Sequence, residues 1–254
     1  MAEADVPKMD IDAWKDRAQS EVGFWQHWVQ SKGDQWPDDF NARANPETPL
    51  IAELQHFLDE LGTDRAAPAE ILDIGSGPLS ILGYKSPGRE IRLTLVDPLA
   101  NSYNQILDQG GIAGVPRPQT GYFESALGQF GENRFDVVWC RNALDHSIDP
   151  LLGLHNLISM CKIGGGLMLS FHPNEADGGD YEGLHQWNLD KRGDRIILAQ
   201  KGQEVDLTPL LRAQNLLSIT QEGTSANFKG MIRIRLQKLR ASNLSQAMMR
   251  SPAE

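Results

Sequence analysis

The eight residues Ile71-Leu72-Asp73-Ile74-Gly75-Ser76-Gly77-Pro78 constrain this chain more than any other stretch. An apolar run ends in an acid, and two glycines follow in alternation, as at a strand that turns sharply beneath a ligand. Glycine accepts the positive φ of such a turn, and its missing Cβ lets a ligand lie against the backbone. A second apolar run, Ile91 to Val96, ends in Asp97, twenty residues past Gly77. That spacing suits a strand–turn–helix–strand unit whose second acid reaches a ribose hydroxyl, so a nucleoside-type cofactor is expected.

Two families use this geometry. The nicotinamide and flavin fingerprint is G-x-G-x-x-G, whereas this string reads Gly75-Ser76-Gly77-Pro78-Leu79-Ser80, with serine at the third small position and proline where a phosphate-binding helix would begin. The apolar strand followed by Asp73-Ile74-Gly75-Ser76-Gly77 instead resembles, without departure, the first motif of class I S-adenosylmethionine-dependent methyltransferases. Their cofactor has no phosphate, so Pro78 does no harm at a site that needs no anion-binding helix N-terminus.

Three further stretches carry the same resemblance. Phe135 to Cys140 resembles the fourth strand of that family, and Asn142-Ala143-Leu144-Asp145-His146-Ser147-Ile148-Asp149-Pro150 its lead into the next helix. Lys162 to Phe171 resembles its glycine turn and fifth strand, with Ile163 where proline is usual. The resemblance implies a Rossmann-like α/β fold. Its mostly parallel seven-stranded sheet would end in an antiparallel strand, with an N-terminal helical cap.

Composition narrows the partners. The 254 residues carry a formal net charge of −10, which disfavours nucleic acid, since phosphate contacts need clustered Lys and Arg. The basic run from Arg233 to Arg250 reads as a final strand and a frayed end. Cys140 and Cys161 are too few for a disulfide framework and read as buried apolar residues. Neither a signal-like start nor an uncharged apolar stretch of membrane-spanning length is visible, so a cytoplasmic protein without membrane association is expected.

Along the chain, Trp14, Ala18, Val22, Trp25 and Val29 form one helical stripe over Ile11 to Gln30, widened by Phe24 and Trp28. Residues 31–49 read as a connector, with Thr48 capping a helix that starts at Pro49 and ends at Gly62. Then come strand 70–74, a helix around 77–84, strand 91–96, helix 99–109, strand 135–140, helix 149–161 and strand 166–171. Residues 172–207 form an insertion whose runs at 196–199 and 204–207 flank Lys201-Gly202 as a β-hairpin; it should overhang the ligand end of the sheet. Helix 207–214 and strands 216–221 and 231–238 close the fold. The expected division is a helical extension or lid over 1–66, a methyltransferase domain over 67–240, and a tail over 241–254.

The resemblance assigns roles residue by residue. Asp73, Gly75, Ser76 and Gly77 would form the cofactor turn, and Asp97, followed by Pro98, would bind both ribose hydroxyls. Either Glu124 or Ser125 would face the adenine amino group. Cys140, Arg141 and Asn142 would meet the methionine end, although Arg141 has the alternative of bracing Asp145. Histidine is the natural base near neutral pH, and His146, His172 and His185 fall near strand ends as catalytic candidates. Trp25, Trp28 and Trp187 are candidate substrate contacts; alternatively, the rings of the first helix only pack it down or serve a homodimer. No metal is expected, since acids such as Asp145 and Asp149 are common here in metal-free relatives. The expected activity is methyl transfer to a small molecule, at oxygen before nitrogen or carbon, on a polyol, sugar or natural-product scaffold. The alternative from another class is a cofactor-binding partner module without turnover.

Overall fold

The computed structural model describes residues 9–213, 215–222 and 230–239. The tail expected at 241–254 lies outside them. The N-terminal part holds α1 (Ile11–Gln30), α2 (Pro37–Ala44) and α3 (Ala52–Glu60). The central part runs β1 (Ala69–Ile74), β2 (Ile91–Asp97), α4 (Ala100–Gln109), β3 (Gln119–Thr120), α5 (Ala126–Phe130) and β4 (Phe135–Arg141). A 3-10 turn at Leu144–His146, α6 (Pro150–Met160), β5 (Cys161–Phe171) and α7 (Glu175–Gly178) follow. The chain continues as β6 (Asn188–Arg192), β7 (Arg195–Gln200), β8 (Gln203–Asp206), α8 (Thr208–Arg212), β9 (Asn215–Glu222) and β10 (Met231–Lys238).

Seven strands form one sheet in the order β3-β2-β1-β4-β5-β10-β9. β1 pairs in parallel with β2 and β4, β4 with β5, and β2 with β3, while β10 runs antiparallel to β5 and β9. This is the expected mostly parallel sheet with its antiparallel end. Ile71, Leu72 and Ile74 are wholly buried because helices and loops cover both faces, which is why β1 reads as a continuous apolar run rather than an alternating one.

Helix α1 begins where Asp10 accepts hydrogen bonds from Asp12 N and Ala13 N, the usual relief for unpaired N–H groups at a helix start. Its Trp28 and Val29 pack with Phe40 of α2 and with Tyr103, Ile106 and Leu107 of α4. Among the described residues no helix is long and apolar enough to cross a membrane.

Four local expectations are corrected. The segment 31–49 is not only a connector but contains α2, with Pro37 in its first turn and Asp38 and Asp39 beside it, a composition suited to a helix N-terminus. Thr48 does not cap α3; its Oγ1 donates to Ala42 O at 2.6 Å, and Ile51 stands at the cap. No helix forms at 77–84. The segment 82–85 instead pairs with 48–51: Ile51 N donates to Leu82 O at 2.9 Å, Leu50 N to Lys85 O at 2.7 Å and Tyr84 N to Thr48 O at 2.8 Å. Those carbonyls and amides are therefore committed to a partner segment, and Gly83 (φ +76) fits where a Cβ would meet the Pro49 carbonyl.

The insertion is also more than a hairpin. β6, β7 and β8 make a three-stranded antiparallel sheet. Trp187, Leu189, Ile196 and Leu198 join the main core with Phe171 and Ile232. Its alternating strands bury one face there rather than merely overhanging the crevice.

Candidate active site

The sheet turns at the ends of β1, β2 and β4 around a cavity of about 270 Å³. At its floor Gly75 (φ +71) and Gly77 (φ +62) carry the chain from β1. A Cβ on Gly75 would collide with Ala143 Cβ. Asp73 is buried, and its Oδ2 accepts a 2.6 Å hydrogen bond from Ser80 Oγ. Burial pushes its carboxyl up to about 6, against the pull of that hydrogen bond and of Arg43 and Arg141. Asp97 at the end of β2 accepts from Gly77 N on one oxygen (3.1 Å) and from Leu99 N on the other (2.9 Å). Burial pushes it up to about 7, only partly offset by those two amides, with the carboxylates of Glu21 and Asp73 adding to the rise.

Helix α1 supplies the roof. Trp14, Glu21 and Trp25 line the cavity. Trp25 Nε1 donates to Glu21 Oε1 at 2.8 Å, and its ring meets Tyr103 edge-on at 6.4 Å. The indole lies so close to Gly77 that a Cβ there would sit 3.1 Å from it. The Arg43 guanidinium lies 5.9 Å from the Trp25 ring and 5.4 Å from that of Trp28, while pairing with Asp39 at 2.8 Å. Glu21, Arg43, Tyr103 and Ser80 carried no signal in the local sequence, because three of them come from segments that meet the turn only in the tertiary fold.

The other end is built by the segment after β4. Trp14 Nε1 donates to His146 O at 2.7 Å, Trp187 Nε1 to Ser147 O at 3.0 Å, and Met9 N to Ile148 O at 3.2 Å. Helix α1 and the insertion thus clamp the same few residues. The Asp145 side chain is buried; its Oδ2 lies 2.7 Å from His185 Nδ1 and 3.6 Å from His146 Nε2. The two imidazole nitrogens are 3.1 Å apart. Burial acts to raise the Asp145 carboxyl, but His146 and the hydrogen bond from His185 prevail and hold it below the usual range. The hydrogen bond to Asp145 raises His185.

Of the residues expected from sequence, Asp73, Gly75, Ser76, Gly77, Asp97, Pro98, Glu124, Arg141, Asn142, His146 and Trp25 line the cavity. Glu124 uses Oε1 to accept from Asp149 N at the start of α6. Ser125 is exposed and sits outside the lining, and Cys140 is buried in the core. Trp28 packs against Phe40, and Trp187 fills the core beneath the insertion, so neither ring reaches the cavity. His185 stands behind His146 rather than in the wall. His172 is outside the lining, and its backbone N–H donates to Asn142 Oδ1 at 3.1 Å.

These residues fit S-adenosylmethionine. The glycine turn leaves bare backbone where a side chain would fill the space. The lining carries the acids Asp73, Asp97, Glu21 and Glu124 against the arginines Arg43 and Arg141, which suits a ligand with a sulfonium and an ammonium group.

A family model for a methyltransferase domain matches residues 47–219, and the chain belongs to that family. It is an S-adenosylmethionine-dependent methyltransferase of class I fold. Among solved structures, one described as a DhpI-SAM-HEP complex is 14% identical over 90% of this chain and 100% of that one, with a TM-score of 0.47. The citrinin polyketide synthase CMeT domain is 15% identical over 84% of this chain and 64% of that one (TM-score 0.48). The CurJ carbon methyltransferase is 18% identical over 70% of this chain (TM-score 0.46), which spans 50% of that protein's length. A search of curated proteins found no match.

Proposed function

We propose that the chain methylates a small molecule at oxygen, on a hydroxyl-bearing scaffold such as a polyol, sugar or natural product, and that the N-terminal extension caps the site through α1. The observation that carries the reading is His146 in the cavity wall, with His185 edge-on behind it and the buried Asp145 beside both. S-adenosylmethionine, when bound, supplies a methyl group on a good leaving group, so the protein's work is positioning and proton removal.

Asp145 orients His185 by accepting its Nδ1–H, and His185 in turn meets His146. The acceptor's hydroxyl proton passes to this cluster as its oxygen takes the methyl group, help that is typically worth about 10²–10⁴-fold. Trp14, Ile148 and Leu184 line that end and exclude water from the transfer. Asp97 and Asp73 are assigned to the ribose hydroxyls and the amino-acid end, each with oxygen lone pairs directed at donors. A radiolabelled methyl assay over hydroxyl-, amine- and carbon-nucleophile panels tests the reading. An O-methylated product from wild type, lost in His146→Ala with cofactor binding intact, is expected. Methylation of amines or carbon alone would refute it.

A further inference from the structure

We propose that Asp145, His146 and His185 form a binding site for one divalent transition-metal cation. The site stands on its own geometry; with a metal bound, His185 Nδ1 and His146 Nε2 are ligands in place of the hydrogen-bonded relay described above, and only the metal's role at the acceptor hydroxyl rests on the function proposed there. The three ligand atoms, Asp145 Oδ2, His146 Nε2 and His185 Nδ1, form a triangle with sides of 2.7, 3.1 and 3.6 Å. Ligands about 2.1 Å from one metal centre, at tetrahedral or octahedral angles, stand about 3.0–3.4 Å from each other. The observed sides bracket that range.

Hydrogen bonding alone serves the cluster poorly. His185 Nδ1 lies 2.7 Å from Asp145 Oδ2 and 3.1 Å from His146 Nε2, and a hydrogen on that one nitrogen serves only one of the two. Asp145 Oδ1 is buried without a hydrogen-bond partner among the described residues, and so is Glu175 Oε2. Buried acceptors are normally satisfied. Two imidazole nitrogens and a buried carboxylate oxygen converging on one point are what a dication completes.

Donor chemistry selects the ion. Two imidazole nitrogens with a carboxylate suit zinc, cobalt, nickel or iron(II), whereas magnesium and calcium take oxygen ligands. Three protein ligands leave an open position, and His146 places the cluster at the cavity wall. An acceptor oxygen is the ligand that fits there. Asp145 and His146 lie in the segment clamped by Trp14 and Trp187, so the fold holds the ligands in place before a metal arrives.

The test uses the untagged full chain, stripped with chelator and titrated with cobalt chloride and then zinc chloride. We expect uptake of one Co²⁺ per chain with visible absorption bands of nitrogen and oxygen ligation, displaced by Zn²⁺. Asp145→Ala and His185→Ala should weaken uptake by about 10–100-fold or more, while His56→Ala, an exposed histidine of α3, leaves it unchanged. Should a ligand variant not fold, the wild-type stoichiometry and spectrum still decide. No stoichiometric uptake by wild type at micromolar metal, or equal uptake in all variants, would overturn the site. Turnover lost in His185→Ala with S-adenosylmethionine binding intact and no metal uptake by wild type would overturn the metal and leave proton acceptance standing. Metal uptake with full turnover in His185→Ala would overturn the metal's role at the acceptor.

Discussion

Replacing Asp97 by asparagine separates what the fold tolerates from what the cofactor needs. Burial lifts this carboxyl from 3.8 to about 7 in the folded protein. One pKa unit corresponds to about 1.36 kcal/mol, so ionising Asp97 costs the cofactor-free fold about 4 kcal/mol. The sign follows from linkage: the folded state keeps this proton to higher pH than the unfolded chain does. Its stabilising contribution is complete below 3.8 and is lost as pH rises through about 7. Asparagine never ionises and escapes that loss. The stability of Asp97→Asn relative to wild type should therefore rise by about 2–4 kcal/mol from pH 4 to pH 8, above a pH-independent loss of about 1–3 kcal/mol because the amide nitrogen faces one of the two backbone N–H groups that Asp97 accepts. Cofactor binding should move the opposite way. A carboxylate offers both oxygens to hydroxyl donors, whereas asparagine offers one. Losing one charge-assisted hydrogen bond, worth about 1.5–3 kcal/mol, weakens binding about 10–100-fold. Urea unfolding at the two pH values and calorimetric titration with S-adenosylmethionine measure both effects. An asparagine variant offset equally from wild type at both pH values refutes the reasoning.

The same argument predicts that wild-type binding tightens as pH rises through about 7, with release of a proton detectable by calorimetry in buffers of different ionisation enthalpy. Gly75→Ala meets both a positive φ and Ala143; it should lose about 2–5 kcal/mol of stability by denaturant titration and bind no cofactor. Trp25→Ala removes the indole over Gly77 and should raise the dissociation constant of the cofactor about tenfold or more, a loss of stacking and exclusion of water, with little change in sheet stability. Lys238 is buried, and its Nζ donates to Asn133 Oδ1, Ser159 O and Cys161 O. Lys238→Met strands those acceptors and should cost about 2–4 kcal/mol in urea unfolding, with cofactor affinity unchanged.

The helix expected at 77–84 shows where local reading fails. Its residues have no strong helical bias, and the backbone partners that claim them come from 48–51, a segment the sequence places some thirty positions earlier. Trp28 and Trp187 fail for a related reason. An indole suits a ligand pocket and a core equally, and only the packing around Phe40 and beneath the insertion assigns these two to the core. Trp25, from the same helix as Trp28, lies one turn away and turns to the cavity.

Local sequence determined the strands, the glycine turn and the acid after β2, because period, turn chemistry and spacing act over a few residues. The family and its cofactor were legible for that reason. Tertiary structure alone decided which acids face each other across the turn, which side chains of α1 meet the cavity, and that His185 comes to Asp145 and His146. Forty residues that include α6, β5 and α7 separate that histidine from Asp145, and packing, rather than any local preference, closes the distance.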